Sequence, residues 1–418
     1  MIYKRLGDYI QPVNIRNKEL EVTTLLGVSI RKVLMPSIAN TIGTNMKTYK
    51  IIEKNQFAYG PVTSRNGDKI SIALLEDFEK AIVSQAYTVF KVIDEQEVLP
   101  EYLMMWFRRP EFDRFARFKS HGSAREVFDW EELCDTQLPI PSIEKQQQIV
   151  NEYNTITNRI QLNEEINTNL ETTAQALYKH WFVDFEFPNE DGKPYKSSGG
   201  KMLYNEELDK EIPVGWSVER INTIAEIIDG DRGKNYPSQE HFSEKGHCLF
   251  LNAGNVTKTG FNFSNISFIS KERDELLRKG KLQRNDIVLT SRGTVGNIAF
   301  YSEIIEYSHL RINSGMVIFR PKNNSYSLFT YSLMKSDSMK KDISNFMSGS
   351  AQPQLPIKDI LRIPIIVPEN KSIFFFNSKS IIIQDNIEIK KKEKRSLIRL
   401  QSLLLAKMTQ VELKTQVV

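Results

Sequence analysis

Residues 142–182 read SIEKQQQIVNEYNTITNRIQLNEEINTNLETTAQALYKHWF. Ile149, Tyr153, Ile156, Ile160, Asn163, Asn167, Leu170, Ala174, Leu177 and Trp181 step along it by four and three residues in turn. That alternation puts them on one stripe of an α-helix, the seam through which long helices pair. Pro139 and Pro141 stop what comes before, and Ser142 with Glu144 suits a first turn. The stretch predicts a helix of about 35 residues, roughly 50 Å long at 1.5 Å per residue.

The stretch has a counterpart. Adding 227 to each seam position gives Phe376, Ser380, Ile383, Ile387, Lys390, Lys394, Leu397, Gln401, Leu404 and Met408. The same shift carries Thr63-Ser64-Arg65 to Thr290-Ser291-Arg292 (290 − 63 = 227), Gly122-Ser123-Ala124 to Gly349-Ser350-Ala351, and Pro141 to Pro368. A domain-sized period predicts two copies of one globular unit, each followed by a long helix. Asn163 and Asn167 lie mid-seam in the first helix, and Lys390 and Lys394 mid-seam in the second. Antiparallel pairing would set middle against middle and let the apolar ends cover each other, so an antiparallel coiled coil is expected.

Around the helices the chain mixes strand and helix signals irregularly, which predicts an α+β fold in each copy. Residues 81–92, rich in β-branched and aromatic side chains, suggest one strand. Residues 103–118 suggest a helix interrupted near Pro110. In the second copy, 246–251, 286–290, 297–300 and 315–320 suggest strands, and 325–347 a helix. Residues 187–216 are rich in Gly, Pro, Ser and charge, and predict a linker with little regular structure. The chain restarts at Trp216-Ser-Val-Glu-Arg-Ile221, which resembles Ile2-Tyr-Lys-Arg-Leu6. The expected organisation is a first module over 1–141, a central helix over 142–184, a linker over 185–215, a second module over 216–368 and a second long helix over 369–410.

A chain of 418 residues suits two domains. Its net charge of +4 permits a polyanionic partner without demanding one. Cys134 and Cys248 stand far apart with no CxxC neighbour, so neither a metal site nor a disulfide framework is expected. No apolar run is long enough for a membrane helix, and residues 1–10 lack the apolar core of a signal peptide. A cytoplasmic protein is expected.

Catalytic motifs are missing. The sequence has no GxxxxGK[ST] loop, no GxGxxG after a strand, no Asn/Asp-Pro-Pro-aromatic tetrapeptide and no HExxH. Asp385 with Glu388 and Lys390 imitates a nuclease pattern, but it falls within the heptad helix, where charge is a solvated face. Binding motifs fare better. Thr63, Ser64 and Arg65, like Thr290, Ser291 and Arg292, follow strand-like runs, and two hydroxyls with an Arg suit phosphate oxygens or a guanine edge. The bland reading is an Arg paired with a local carboxylate. The Gly-Ser-Ala loops carry Lys119, His121, Ser123 and Arg125 in one copy and Ser350, Gln352 and Gln354 in the other. Small residues let backbone approach a phosphate, although a plain turn has the same composition. Asp229-Gly-Asp-Arg-Gly-Lys-Asn-Tyr-Pro237 offers Arg232 and Lys234 on a Gly-rich loop that either reads DNA or is merely exposed.

Several stretches together carry a resemblance: Gly122-Ser-Ala-Arg125, Leu138-Pro-Ile-Pro141, Lys145-Gln-Gln-Gln-Ile149, Ala176-Leu-Tyr-Lys-His-Trp-Phe182 and the linker Pro188 to Gly200. With the module–helix–module–helix order, the chain resembles the DNA-specificity subunits of type I restriction-modification systems over essentially its whole length. After Pro368 the second copy departs, reading ENKSIFFF in place of EKQQQIV. The resemblance implies two target-recognition domains, each reading half of a split duplex DNA target, with the helix pair setting the gap. It implies a non-catalytic subunit without a bound cofactor or metal. Two methyltransferase subunits would use S-adenosylmethionine, and restriction-translocase subunits would use ATP and Mg. The candidate DNA contacts are Thr63, Ser64, Arg65, Lys119, Ser123, Arg125, Arg232, Lys234, Thr290, Ser291, Arg292, Ser350 and Gln352. The candidate seam is Ile156, Ile160, Asn163, Asn167, Leu170, Leu177, Ile383, Ile387, Lys390, Lys394, Leu397 and Leu404. Two other readings stay open: the specificity subunit of a type II fused nuclease-methyltransferase, and a two-module coiled-coil adaptor that binds no DNA.

Overall fold

The heptad stretch forms one unbroken helix, Ile143–Phe182, and its counterpart forms another, Asn370–Lys407. At 40 and 38 residues they lie within the bounds expected for the two long helices and are a little longer than the seam alone suggests. The computed structural model describes residues 3–37, 43–63, 69–122, 126–347, 349 and 353–408. Contacts divide the chain into two units, 1–162 with 394–418, and 163–393. Each unit therefore holds half of each long helix.

The helices pair antiparallel. In the first unit Gln401 Nε2 donates to Thr157 Oγ1 at 2.8 Å, and Leu405 and Met408 share a core with Ile149, Val150 and Tyr153. In the second unit the Phe376 ring lies 5.9 Å from Trp181 and 6.2 Å from Tyr178. Ascending numbers on one helix thus meet descending numbers on the other. The seam positions from Ile149 to Trp181 and from Phe376 to Met408 are all buried or half-buried. Asn163 is fully buried, and neither its amide N–H group nor its carbonyl oxygen has a hydrogen-bond partner.

Each unit is built on the same frame. A short ribbon opens it, Tyr3–Arg5 with Gln137–Pro139 in the first and Ser217–Arg220 with Pro364–Val367 in the second. A four-stranded antiparallel sheet follows. Its order is Ile10–Val13, Thr88–Val92, Gln56–Gly60, Ser71–Leu74 in the first unit. In the second it is Ala225–Asp229, Met316–Pro321, Ile287–Thr290, Ile298–Phe300. A pair of helices covers each sheet, Pro100–Arg108 and Pro110–Lys119, then Ser327–Lys335 and Asp337–Phe346.

The additions to the frame differ. The first unit adds Leu26–Val28 with Leu34–Pro36, and Lys50–Glu53 with Lys80–Val83, all antiparallel. The second adds a mixed sheet of Phe268–Ile269, Cys248–Leu251 and Leu310–Ile312, whose last pairing is parallel. It also adds the hairpin Val256–Thr257/Gly260–Phe261. A buried charge cluster holds the mixed sheet to the helix Lys271–Leu276. Asp274, with no exposed surface, accepts from Arg311 Nε at 2.7 Å and from Lys281 Nζ at 2.6 Å. Burial alone would push its carboxyl up, but Lys281 and Arg311 outweigh burial and hold it below the ordinary value of 3.8.

Three expectations need correction. Residues 81–92 are two strands, Lys80–Val83 and Thr88–Val92, divided by a turn in which Tyr87 N donates to Ser84 O. Residues 325–347 are two helices, because Ser336 caps the second through Met339 N. Residues 187–216 are structured. They contain the hairpin Met202–Asn205/Lys210–Pro213, and Phe187 stacks on both Tyr195 and Trp216 at 4.6 and 4.7 Å. Aromatic anchors at both ends overrule the Gly/Ser composition between them.

Candidate DNA interface

Segments beside the two recurring tripeptide motifs, far apart in sequence, meet in each unit. In the first unit Val62 and Val127 form an antiparallel bridge, Thr63 N donates to Glu126 O, and Phe128 N donates to Pro61 O. In the second, Arg292 and Gln354 bridge, and Leu355 N donates to Ser291 O at 2.9 Å. The strand end carrying Thr-Ser-Arg thus always lies beside the segment that follows Gly-Ser-Ala.

The threonines of these motifs do not face outward. Thr63 is 2% exposed, and its hydroxyl bonds to Ser120 Oγ and Glu126 O at 2.9 and 3.2 Å. Thr290 is fully buried. Its hydroxyl donates to Thr294 O and accepts from Asn297 N at 3.0 Å. Both side chains turn inward and spend their hydroxyls on partners in their own unit, so they do not present them to a ligand. Ser291 is also buried, while Arg292 is exposed. Ser64, Arg65, Ser123, Arg125, Ser350 and Gln352 lie outside the described residues.

In the second unit the Gly-rich loop joins this meeting point. A cleft of about 210 Å³ is lined by Asp229, Arg232, Ser291, Arg292 and Gln354, among others. Arg232 donates to Asp229 Oδ1 at 3.1 Å and to Ser314 O at 3.2 Å, which aims its guanidinium. The loop is held from beneath by Asp231, which sequence reasoning passed over. Its carboxylate accepts N–H donors from Gly233, Arg278 and Lys279 at 2.6, 2.7 and 3.3 Å. Burial would raise its pKa, but these donors with Arg278 outweigh it and hold the carboxyl low. Gly230 is required where the loop begins, because a Cβ there would lie 2.1 Å from Asn313 O. Lys234 is exposed on the same loop.

Around the meeting point of the first unit the cations have carboxylate company. Arg117 pairs with Glu126, Lys119 Nζ lies 3.9 Å from Glu132, and His121 Nε2 lies 3.6 Å from it. His121 and Val127 exchange two backbone hydrogen bonds. Two of the nuclease-like trio on the second long helix are occupied locally, and Glu388 is buried there instead of lying on the solvated face expected of it. Glu388 is buried against Lys391 and Gln384, and Lys390 pairs with Glu393 at 3.0 Å.

What this arrangement can do is recognise, because it presents Arg and amide groups on braced loops. Arg suits the paired acceptors of guanine and Gln the acceptor–donor pair of adenine in a major groove. Comparison with known proteins agrees. The chain is 27% identical over 325 residues to the type I restriction enzyme MjaIX specificity subunit of Methanocaldococcus jannaschii, covering 78% of this chain and 72% of that one. It is 24% identical to the type I restriction enzyme HindI specificity subunit of Haemophilus influenzae, covering 91% and 92%. Its fold matches the crystal structure of a type I restriction-modification S subunit from M. genitalium with a TM-score of 0.56 at 14% identity, covering 98% and 96%. Residues 31–172 and 213–399 match the family described as the type I restriction modification DNA specificity domain. With most of its length matched, the chain belongs to that family.

Proposed function

We propose that this chain is the non-catalytic specificity subunit of a cytoplasmic type I restriction-modification complex. Each unit reads one half of a split duplex DNA target, and the antiparallel helix pair sets the gap between the halves. The observation that carries this is the repeated frame, with the described segments beside the two motifs bridging in both units, Val62 to Val127 and Arg292 to Gln354. Different additions to that frame imply two different half-sites. Arg232, Lys234, Arg292 and Gln354 are the proposed contacts of the second unit, and Lys119 that of the first, with Ser64, Arg65, Ser123, Arg125, Ser350 and Gln352 proposed from sequence. Two methyltransferase subunits would bring S-adenosylmethionine and methylate adenine. Restriction subunits would bring ATP- and Mg-dependent translocation and cleavage.

The test is a methylation map from a host lacking its own modification, expressing this chain with its methyltransferase. A split, asymmetric motif of fixed gap is expected. Inserting four residues beside Asn163 adds about 6 Å of helix, so the gap should grow by about two base pairs. An unchanged gap would refute the ruler, and methylation at a short continuous palindrome would refute independent reading by two units.

A further inference from the structure

Residues 292–296 of the second unit form one tight turn, Arg-Gly-Thr-Val-Gly. Gly293 and Gly296 adopt φ of 74° and 95°, a conformation that favours glycine. Thr290 ties the turn from within, and Asn297 Nδ2 ties it outward by donating to Val256 O at 3.0 Å. Val256 begins the hairpin whose tip is Lys258 and Thr259. A second tie fixes that tip, since Lys391 Nζ on the long helix donates to Thr259 O at 2.6 Å. Lys258 is therefore an exposed cation on a hairpin braced at two points, with no ion pair among the described residues.

The turn has a cleft at each end. At one end Arg292 and Gln354 share the cleft already described. At the other, a cleft of about 500 Å³ is lined by Thr257, Lys258, Thr259, Thr294, Val295 and Asn297, without a carboxylate among them. Arg292 and Thr294 are two residues apart, so their Cα atoms are separated by at most about 7 Å. That is about two base-pair rises along a duplex at 3.4 Å each.

We propose that this second cleft is a DNA phosphate subsite with Lys258 as its cation, lying beside the base-reading cleft at Arg292. The inference rests on the function proposed above. A lysine ammonium is a compact point charge without the planar fork that reads a base edge, so its contact is sequence-independent. The hydroxyls of Thr257, Thr259 and Thr294 and the Asn297 amide surround Lys258 without an acidic group, and such donors beside a cation suit a phosphate. In the neighbouring groove of about 940 Å³, which Lys258 also borders, the other lysines already have carboxylate partners, Lys335 with Glu171, Lys340 with Asp337 and Lys179 with Asp184, so it suits an added anion less.

The test titrates salt against duplex binding by the complex of this chain with its methyltransferase, using the mapped target and a scrambled duplex. Lys258→Ala is expected to weaken both duplexes several-fold by the same factor, and to flatten the slope of log K against log salt by about 0.9. Lys258→Arg should restore slope and affinity, whereas Arg292→Ala should weaken the target far more than the scrambled duplex. An unaltered slope in Lys258→Ala would overturn the subsite. So would unaltered DNA binding accompanied by loss of the methyltransferase, which would make Lys258 a protein contact. Wild-type complex that binds neither duplex would overturn the proposed function itself, a result the variants alone cannot produce.

Discussion

Gln146 and Ile373 occupy equivalent places at the starts of the two long helices (373 − 146 = 227), and both are fully buried. Gln146 is a polar tie. Its amide donates to Glu97 O and Pro141 O at 2.8 and 2.9 Å and accepts from Leu99 N at 2.9 Å. Ile373 is an apolar plug in the core that holds Phe329, Phe376 and Trp181. In its unit the polar ties have moved to neighbouring positions: Tyr326 donates to Asn370 Oδ1 at 2.6 Å, and Leu328 N to Asn377 Oδ1 at 3.1 Å. The two copies preserve the docking of helix on module while exchanging its chemistry. A repeat therefore keeps geometry longer than it keeps side chains, and the absence of a Gln146 counterpart after Pro368 is one result of this exchange.

The contrast can be broken most strongly at the buried charges of the second unit. Asp274→Asn leaves Arg311 short of its counter-charge, and should destabilise that unit by about 3–5 kcal/mol. Hydrogen exchange should accelerate in 163–393 and not in the first unit; acceleration in both would mean the units unfold as one. The Asp274 carboxyl titrates below its ordinary value, so its contribution is fully present above about pH 4 and is lost as pH falls through the folded value. Acid should thus melt the second unit with a steeper dependence in wild type than in Asp274→Asn.

Exchanging the two helix starts comes next. Ile373→Gln buries an amide with no arranged partners and removes an apolar side chain, a loss of roughly 2–4 kcal/mol. Gln146→Ile strands Leu99 N and two carbonyls, a loss of about 1–3 kcal/mol. Denaturant midpoints followed unit by unit would rank them; equal tolerance of both swaps would dissolve the contrast. The smallest effect is a gain. Asn163→Leu removes an unsatisfied buried amide from the seam and should raise stability by about 1 kcal/mol. If the melting temperature fell instead, Asn163 would have a partner in the working molecule.

The helices were legible because a four-three rhythm sustained over ten steps has few other meanings. The shared frame was legible as recurring tripeptides, though their roles were half hidden. Nothing local in Thr-Ser-Arg says that Thr63 and Thr290 turn inward while Arg292 turns out; that depends on strand register. The Asp274–Arg311 pair joins residues 37 apart that no motif connects. Composition misled at 187–216, where Phe187 and Trp216 outweigh the glycines and serines between them.

The interleaving of the chain through its two units sets an order for its synthesis. The second unit needs nothing beyond residue 393, whereas the first unit takes Leu405 and Met408 into its core. The ribosome therefore releases a complete second unit before a complete first one. The first unit must wait, part of its core still open, for residues 394–408 to arrive, and a stop codon near residue 394 would damage the first unit more than the second.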